Sequence, residues 1–433
     1  MSIEFLDEIV RNQKLGKPCE VVSVCSSHPF VLKAAMARAV RTGTSVLVES
    51  TCNQVNQFGG YTGMTPADFA VYVATLARQT GLAPDKVLLG GDHLGPSVWQ
   101  NEPAENAMQK SLDLVQAYVR AGYIKIHLDA SMKLADDDPN VPLDVELSAQ
   151  RAAYLAEAAE QAVTSLGTAP APRYVIGTEV PIPGGAQVHE DRLQVTSVEN
   201  VRRTIEVTRA AFMRNKLDSA WERVQAVVVQ PGVEFGDDFV LDYQPKAAAD
   251  IVLFIETQPK MVFEAHSTDY QKRESLRQLI RDHFAILKVG PALTFAMREA
   301  VFALAWMEAE LIPASERSGL IDVLEQAMFR NPSYWQKYYH GSPQELAFAR
   351  RFSLSDRSRY YWSDIHVQAA FRKLLANLSA RPLPLALLSQ FAPEQLLHIR
   401  DGLIANDPEA IILDRIDRVL DVYQIEPSIS QNE

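Results

Sequence analysis

The chain has 433 residues, 47% hydrophobic and 22% charged, which is enough apolar material for a large core and excludes an intrinsically disordered chain. Lys and Arg number 42 against 54 Asp and Glu, a formal charge of −12, which argues against a general nucleic-acid footprint but not against a locally positive pocket for an anion. The three cysteines, Cys19, Cys25 and Cys52, lack metal-ligand spacing and read as reduced thiols of a cytoplasmic protein.

The opening stretch MSIEFLDEIVRNQKLGKP carries acids early and no long apolar run, so no secretory signal is expected. Short β-rich runs then recur: VVSVC (21–25), SVLVES (45–50), KVLLGG (86–91), YIKIHLD (123–129), YVIGTEV (174–180), VQAVVVQ (224–230), KMVFEAH (260–266) and FAILKVG (284–290). Most are continuous apolar runs, as expected of strands buried on both faces. Between them lie helix-period segments such as PFVLKAAMARAVRTG, TPADFAVYVATLARQTG and AENAMQKSLDLVQAYVRAG, each ending at Gly. This alternation predicts a TIM (β/α)₈ barrel. A doubly wound sheet is the runner-up, but it would need a glycine-rich first turn, and the first turn here is CSSHPF.

Two insertions are expected, an acidic loop at ADDDPNVPLD (135–144) and an excursion from PIPGGAQ to about residue 200. ALTFAMREAVFALAWM is interrupted by Arg298 and Glu299 and is too short and too charged to cross a bilayer. From about residue 296 strand runs give way to helix-like stretches. The expected organisation is therefore a barrel over 1–295 and a helical C-terminal region over 296–433 packed on it, with the polar tail SISQNE fraying.

Catalytic groups of such barrels sit at the C-terminal ends of the strands, and ionisable groups recur there. His93 follows the third strand and His266 the seventh; with Glu234 past the sixth they make a candidate divalent-metal set, most simply Zn²⁺, with an open position for substrate. The structural alternative for each is a satisfied buried side chain. His127 is expected to face the barrel interior or to pair with a neighbour, outside the ligand set. Asp92, Asp129 and Glu179 are the candidate proton carriers, and crowding is expected to raise one another's pKa; Asp129 could instead orient a histidine. Loops after the seventh and eighth strands commonly build phosphate sites, which brings in Ser267, Thr268, Lys288 and Gly290, although Lys288 could equally form an ion pair inside the barrel. Ser26 and His28 after the first strand, Asn53 and Gln54 after the second, and Gln230 after the sixth are candidate substrate contacts. The stretch SLSDRSRYYWSD (353–364) places Arg357 and Arg359 beside aromatics, either closing over the rim or forming an exposed basic helix end.

The segments VCSSHPFVLKAA, ESTCNQVNQFGGYTGMTPADF, LGGDHLGP, KIHLDASM, VIGTEVPIPGGA, VVQPGVEF, FEAHSTDYQ and FAILKVGPALTFAMREA, with YYWSD and PLPLALLSQF further on, resemble the Z-type subunit family of class II D-tagatose-1,6-bisphosphate aldolase over nearly the whole chain. The resemblance implies a barrel related to class II aldolases. It implies one of three activities: a tagatose-6-phosphate kinase, a non-catalytic subunit supporting a separate catalytic aldolase chain, or a D-tagatose-6-phosphate 4-epimerase. No P-loop or protein-kinase signature supports the first. By the resemblance Asp92 and His93 match the aldolase proton-transfer Asp and first metal His, and His266 the third. The second His has no counterpart, and Glu234 in QPGVEFG is the nearest replacement. The reaction expected first is metal-dependent interconversion of D-tagatose 6-phosphate and D-fructose 6-phosphate by retro-aldol and aldol steps. The subunit role is the alternative. The expected partners are a small-molecule ketohexose phosphate, a possible class II aldolase chain and a possible second copy of the chain, with no nucleic acid and no membrane.

Overall fold

The computed structural model describes residues 2–167, 170–179 and 194–424. Eight parallel strands close into a barrel: β1 (Val21–Val24), β2 (Val46–Thr51), β3 (Val87–Leu94), β4 (Lys125–Leu128), β5 (Arg173–Ile176), β6 (Val224–Val228), β7 (Val262–Ala265) and β8 (Phe284–Val289). β1 closes the ring, pairing Val24 with Val48 of β2 and with Val289 of β8. The TIM barrel expected from the alternation is the fold observed. Its strands are apolar on both faces because helices cover the outside and side chains fill the inside.

The helices start and stop where local chemistry dictates. Thr65 and Asp68 form a reciprocal capping box at the start of Pro66–Thr80, so two otherwise orphan N–H groups are satisfied. Pro29 opens Pro29–Thr42, whose N-cap is His28: its Nδ1 accepts the Phe30 N–H at 3.3 Å. The acidic loop at 135–144 is anchored by Asp137, which takes a two-pronged ion pair from Arg151 at 2.7 and 2.8 Å. Most of the excursion expected after PIPGGAQ lies outside the described residues.

The interior is stratified. At the N-terminal end Leu6 and Ile9 of helix Ser2–Lys14 pack with Val21, Leu47, Leu88, Val175, Val262 and Ile286 as an apolar plug. The interior also holds a charged layer, and the polar rim lies at the strands' C-terminal ends. Helix Pro291–Leu311 follows β8 and runs through residues 295 and 296 without a break. Beyond it the chain is helical, ending in Pro408–Tyr423, which lies against Pro291–Leu311 and Pro29–Thr42. Among the described residues no helix is long and apolar enough to cross a membrane.

Candidate functional site

Beneath the rim two lysines and two glutamates fill the barrel. Lys125 Nζ lies 2.6 Å from Glu49 Oε1 and 2.6 Å from Glu264 Oε2. Lys288 Nζ contacts Glu49 Oε2, lies 2.7 Å from Asp92 Oδ1 and 3.7 Å from Glu264 Oε1. All five side chains are buried, so each charge is tolerable only because the others surround it. Of the two roles open to Lys288, the geometry gives the ion pair.

Above this layer the ligand atoms of Asp92, His93, His127 and His266 all lie within 4.8 Å of one another. Neighbours Asp92 and His93 cannot both face inward from a regular strand. β3 solves this with a register shift between Gly91 and Leu94 and a positive φ of 47° at His93. Ser267, following His266, is also held at positive φ, 55°.

Each imidazole has one nitrogen beside a carboxylate. His93 Nδ1 is 2.8 Å from Asp129 Oδ2, His127 Nδ1 is 3.1 Å from Asp92 Oδ1, and His266 Nε2 is 3.0 Å from Glu264 Oε1. In His93 and His266 the carboxylate holds the proton on the nitrogen it faces, which leaves a lone pair on the other, whereas His127 Nδ1 also accepts the His93 backbone N–H at 3.2 Å. His127 Nε2 is buried and has no hydrogen-bond partner among the described residues. An unpartnered buried ring nitrogen in a cluster of three imidazoles and a carboxylate matches the donor set a divalent cation takes, so the residues fit a metal. Burial holds His266 down to about 4, against the raising pull of Glu264 and Asp92, which keeps it neutral. Burial also works to lower His93, but the Asp92 and Asp129 carboxylates outweigh it and raise the pKa.

Crowding does not raise the pKa of Asp92 or Asp129, contrary to expectation. Burial pushes both up, but His93 and Lys288 around Asp92, and His93, His127 and Ser131 around Asp129, hold them well below the usual carboxylate range. Imidazoles, the Lys288 ammonium and the Ser131 hydroxyl, not like charges, are the neighbours that hold them down. Asp129 also accepts from Ser131 Oγ at 2.6 Å and takes the orienting position on His93.

The cluster opens into a cleft whose lining includes Asp92, His93, His266, Asn53, Gln54, Ser267, Lys288 and Gly290. The other candidates lie elsewhere. Glu179 is exposed, accepting from Thr196 Oγ1 at 2.7 Å and from Asn200 Nδ2 at 2.5 Å, outside the cleft lining. Glu234 sits in a short hairpin (Glu234–Phe235 with Val240–Leu241), is not in the four-residue cluster, and accepts the Phe235 N–H; burial pushes it up to about 7. Thr268 donates to the Lys288 carbonyl at 2.6 Å. Ser26 accepts the His28 N–H at 3.2 Å, and Gln230 Oε1 accepts the Gly232 N–H at 2.8 Å. Burial holds His28, the helix cap, down to about 3.

Sequence reasoning left several cleft residues out of the candidate site, Arg359, Tyr360 and Asp269 among them. Arg359 and Tyr360 enter from the C-terminal region, so the stretch 353–364 closes over the rim. Asp269 also lines the cleft, where burial pushes it up to about 6; its Oδ1 accepts the N–H groups of Gly290 at 3.0 Å and Ala292 at 2.8 Å. The signal for His127 was available: Lys125, His127 and Asp129 alternate on one face of β4.

The family model for D-tagatose-1,6-bisphosphate aldolase subunit GatZ/KbaZ-like proteins matches residues 6–426. The D-tagatose-1,6-bisphosphate aldolase subunit GatZ of Salmonella gallinarum is 49% identical over 97% of this chain and 98% of its own length, and that of Klebsiella pneumoniae gives the same figures. A crystal structure described as a probable tagatose 6 phosphate kinase from Sinorhizobium meliloti superposes with a TM-score of 0.85 at 44% identity, covering 93% of this chain and 99% of that one. Matched over residues 6–426, the chain belongs to the GatZ/KbaZ-like family of D-tagatose-1,6-bisphosphate aldolase subunits.

Proposed function

We propose that the chain serves as the Z-type subunit of a D-tagatose-1,6-bisphosphate aldolase, working with a separate catalytic class II aldolase chain. The observation that carries this is end-to-end identity of 49% with proteins named as that subunit. The kinase description belongs to the Sinorhizobium protein; this sequence has no phosphate-cradling P-loop.

A specific feature favours a second reading, in which the chain is itself a D-tagatose-6-phosphate 4-epimerase. A purely supporting subunit has no use for three buried imidazoles, each beside a carboxylate, with one ring nitrogen left unpartnered. His93, His127 and His266 would hold the metal, most simply Zn²⁺, which when bound supplies polarisation of the ketose carbonyl. Asp92, held ionised by Lys288 and His93, would take the C4 hydroxyl proton, a role its ionised state supports. The C3–C4 electron pair then passes to the carbonyl fragment, leaving a three-carbon enolate and an aldehyde. Turning the aldehyde before the bond re-forms inverts C4, and Asp92 returns the proton to the new alkoxide. Asn53, Gln54 and Ser267 offer amide and hydroxyl groups to the sugar within the same cleft. Its free cysteines suit the reducing cytoplasm.

A ¹H-NMR time course of the purified chain with D-tagatose 6-phosphate, with and without Zn²⁺, separates the two readings. Under the subunit reading nothing changes until a class II aldolase chain is added, and that chain's cleavage of D-tagatose 1,6-bisphosphate then rises. Metal-dependent appearance of D-fructose 6-phosphate from the chain alone establishes the second reading.

A further inference from the structure

We infer that Arg359, brought to the rim by the C-terminal region, anchors the anionic end of the substrate, and that Lys288 and the helix start after β8 do not. The inference deepens the reading of the cleft as a ketohexose-phosphate site and rests on it.

The expected phosphate donors are already engaged. Lys288 lies among Glu49, Asp92 and Glu264, so an incoming anion would have to displace carboxylates from a buried ammonium. The N–H groups of Gly290 and Ala292 at the start of Pro291–Leu311 point at Asp269 Oδ1, at 3.0 and 2.8 Å. The protein's own carboxylate therefore occupies the place an anion would take at a helix N-terminus.

Arg359 is the remaining cationic side chain among the described residues that line the cleft. Its Nη1 donates to the Ser355 carbonyl and, at 2.9 Å, to the Asp356 carbonyl; its Nη2 donates to Tyr360 Oη at 2.9 Å. The Nε hydrogen and one Nη2 hydrogen have no protein acceptor among the described residues; Asp356 and Asp269 act on the guanidinium electrostatically, but neither forms a close ion pair with it there. Two unused N–H donors on a planar, permanently charged group suit a phosphate monoester. The group is also held in place, its Cζ 4.5 Å from the centre of the Tyr360 ring, which packs edge-on against Tyr61 at 4.9 Å. A pre-positioned guanidinium loses little freedom on binding. The substrate then spans the cleft with its phosphate at Arg359 and its carbonyl end at the histidine cluster.

Isothermal titration of the full chain with three probes, inorganic phosphate, D-tagatose 6-phosphate and D-tagatose, tests this. Arg359→Gln should weaken both phosphorylated probes roughly 10- to 100-fold, the scale of a charge-assisted hydrogen-bond pair, and leave D-tagatose unchanged. Arg359→Lys, which keeps the charge and loses the fork, should fall between; it decides the matter if the Gln variant does not fold. Unchanged binding of the phosphorylated probes, an equal loss for D-tagatose, or no phosphate binding by the unaltered chain overturns the inference. Arg359-dependent phosphate binding without any binding of D-tagatose 6-phosphate would uphold the anchor and overturn the ketohexose-phosphate reading instead.

Discussion

Each imidazole of the cluster is only as good a ligand as the carboxylate behind it. Asp129 fixes the His93 tautomer across 2.8 Å, while His127 Nδ1 lies 3.1 Å from Asp92 and also accepts the His93 backbone N–H at 3.2 Å. Asp129→Asn can still touch Nδ1 but no longer holds a proton there by charge. It should cost roughly 10–100-fold in Zn²⁺ affinity, the usual effect of losing such an orienting group. His127→Ala should cost more, because it removes the lone pair itself, whereas Glu234→Gln should leave affinity unchanged. Competition titration against a chromogenic chelator reads all three. Retained affinity in His127→Ala together with loss in Glu234→Gln would return the third ligand to the residue expected from the family likeness.

At the scale of elements the site depends on how closely the turn after β3 passes β4. Asp129 N–H donates to the Leu94 carbonyl at 3.0 Å, and a Cβ built on Gly95 would fall 1.7 Å from the Asp129 carbonyl oxygen. Gly95→Ala must therefore push Asp129 away, and His93 with it. We expect a loss of about 2–3 kcal/mol in a urea melt, the scale of overpacking, with Zn²⁺ affinity reduced as in Asp129→Asn. Unaltered metal affinity would mean that the Asp129–His93 contact does not set the site. The strands and the rim were legible in the sequence because buried parallel strands read as apolar runs that end in polar residues. Asp92, His93 and His266 were legible for the same reason. His127 was discounted although it alternates with Lys125 and Asp129, because the space it could occupy depends on the β3 irregularity that turns His93. Nothing local in a sequence announces a positive φ at a histidine. Arg359 was ambiguous because its place in the cleft is set by tertiary packing 70 residues downstream of the end of β8 at Val289.

At the scale of the molecule, the C-terminal helices are joined to the barrel by both apolar and ionic contacts. Phe30 of the first barrel helix meets Phe371 with ring centres 5.4 Å apart, and Tyr423 donates to the Thr268 carbonyl at 2.8 Å beside the rim. Arg38 pairs with Asp417 at 3.1 Å and Asp421 at 3.0 Å, and Arg273 pairs with Asp421 at 2.5 Å. These half-exposed pairs add little each, but one apolar cluster of buried residues runs from Met36 and Leu293 through Phe371 to Ile416 and so joins the two regions. Removing the C-terminal region would expose that cluster and take Arg359 and Tyr360 from the cleft. The chain should consequently unfold in a single calorimetric transition, with calorimetric and van't Hoff enthalpies in agreement. Arg359→Gln should leave that profile in one piece, because its guanidinium carries no ion pair among the described residues. Two resolved peaks would instead mean that the helices form a unit of their own, free to move against the barrel, and that the cleft wall they supply is not fixed before substrate arrives.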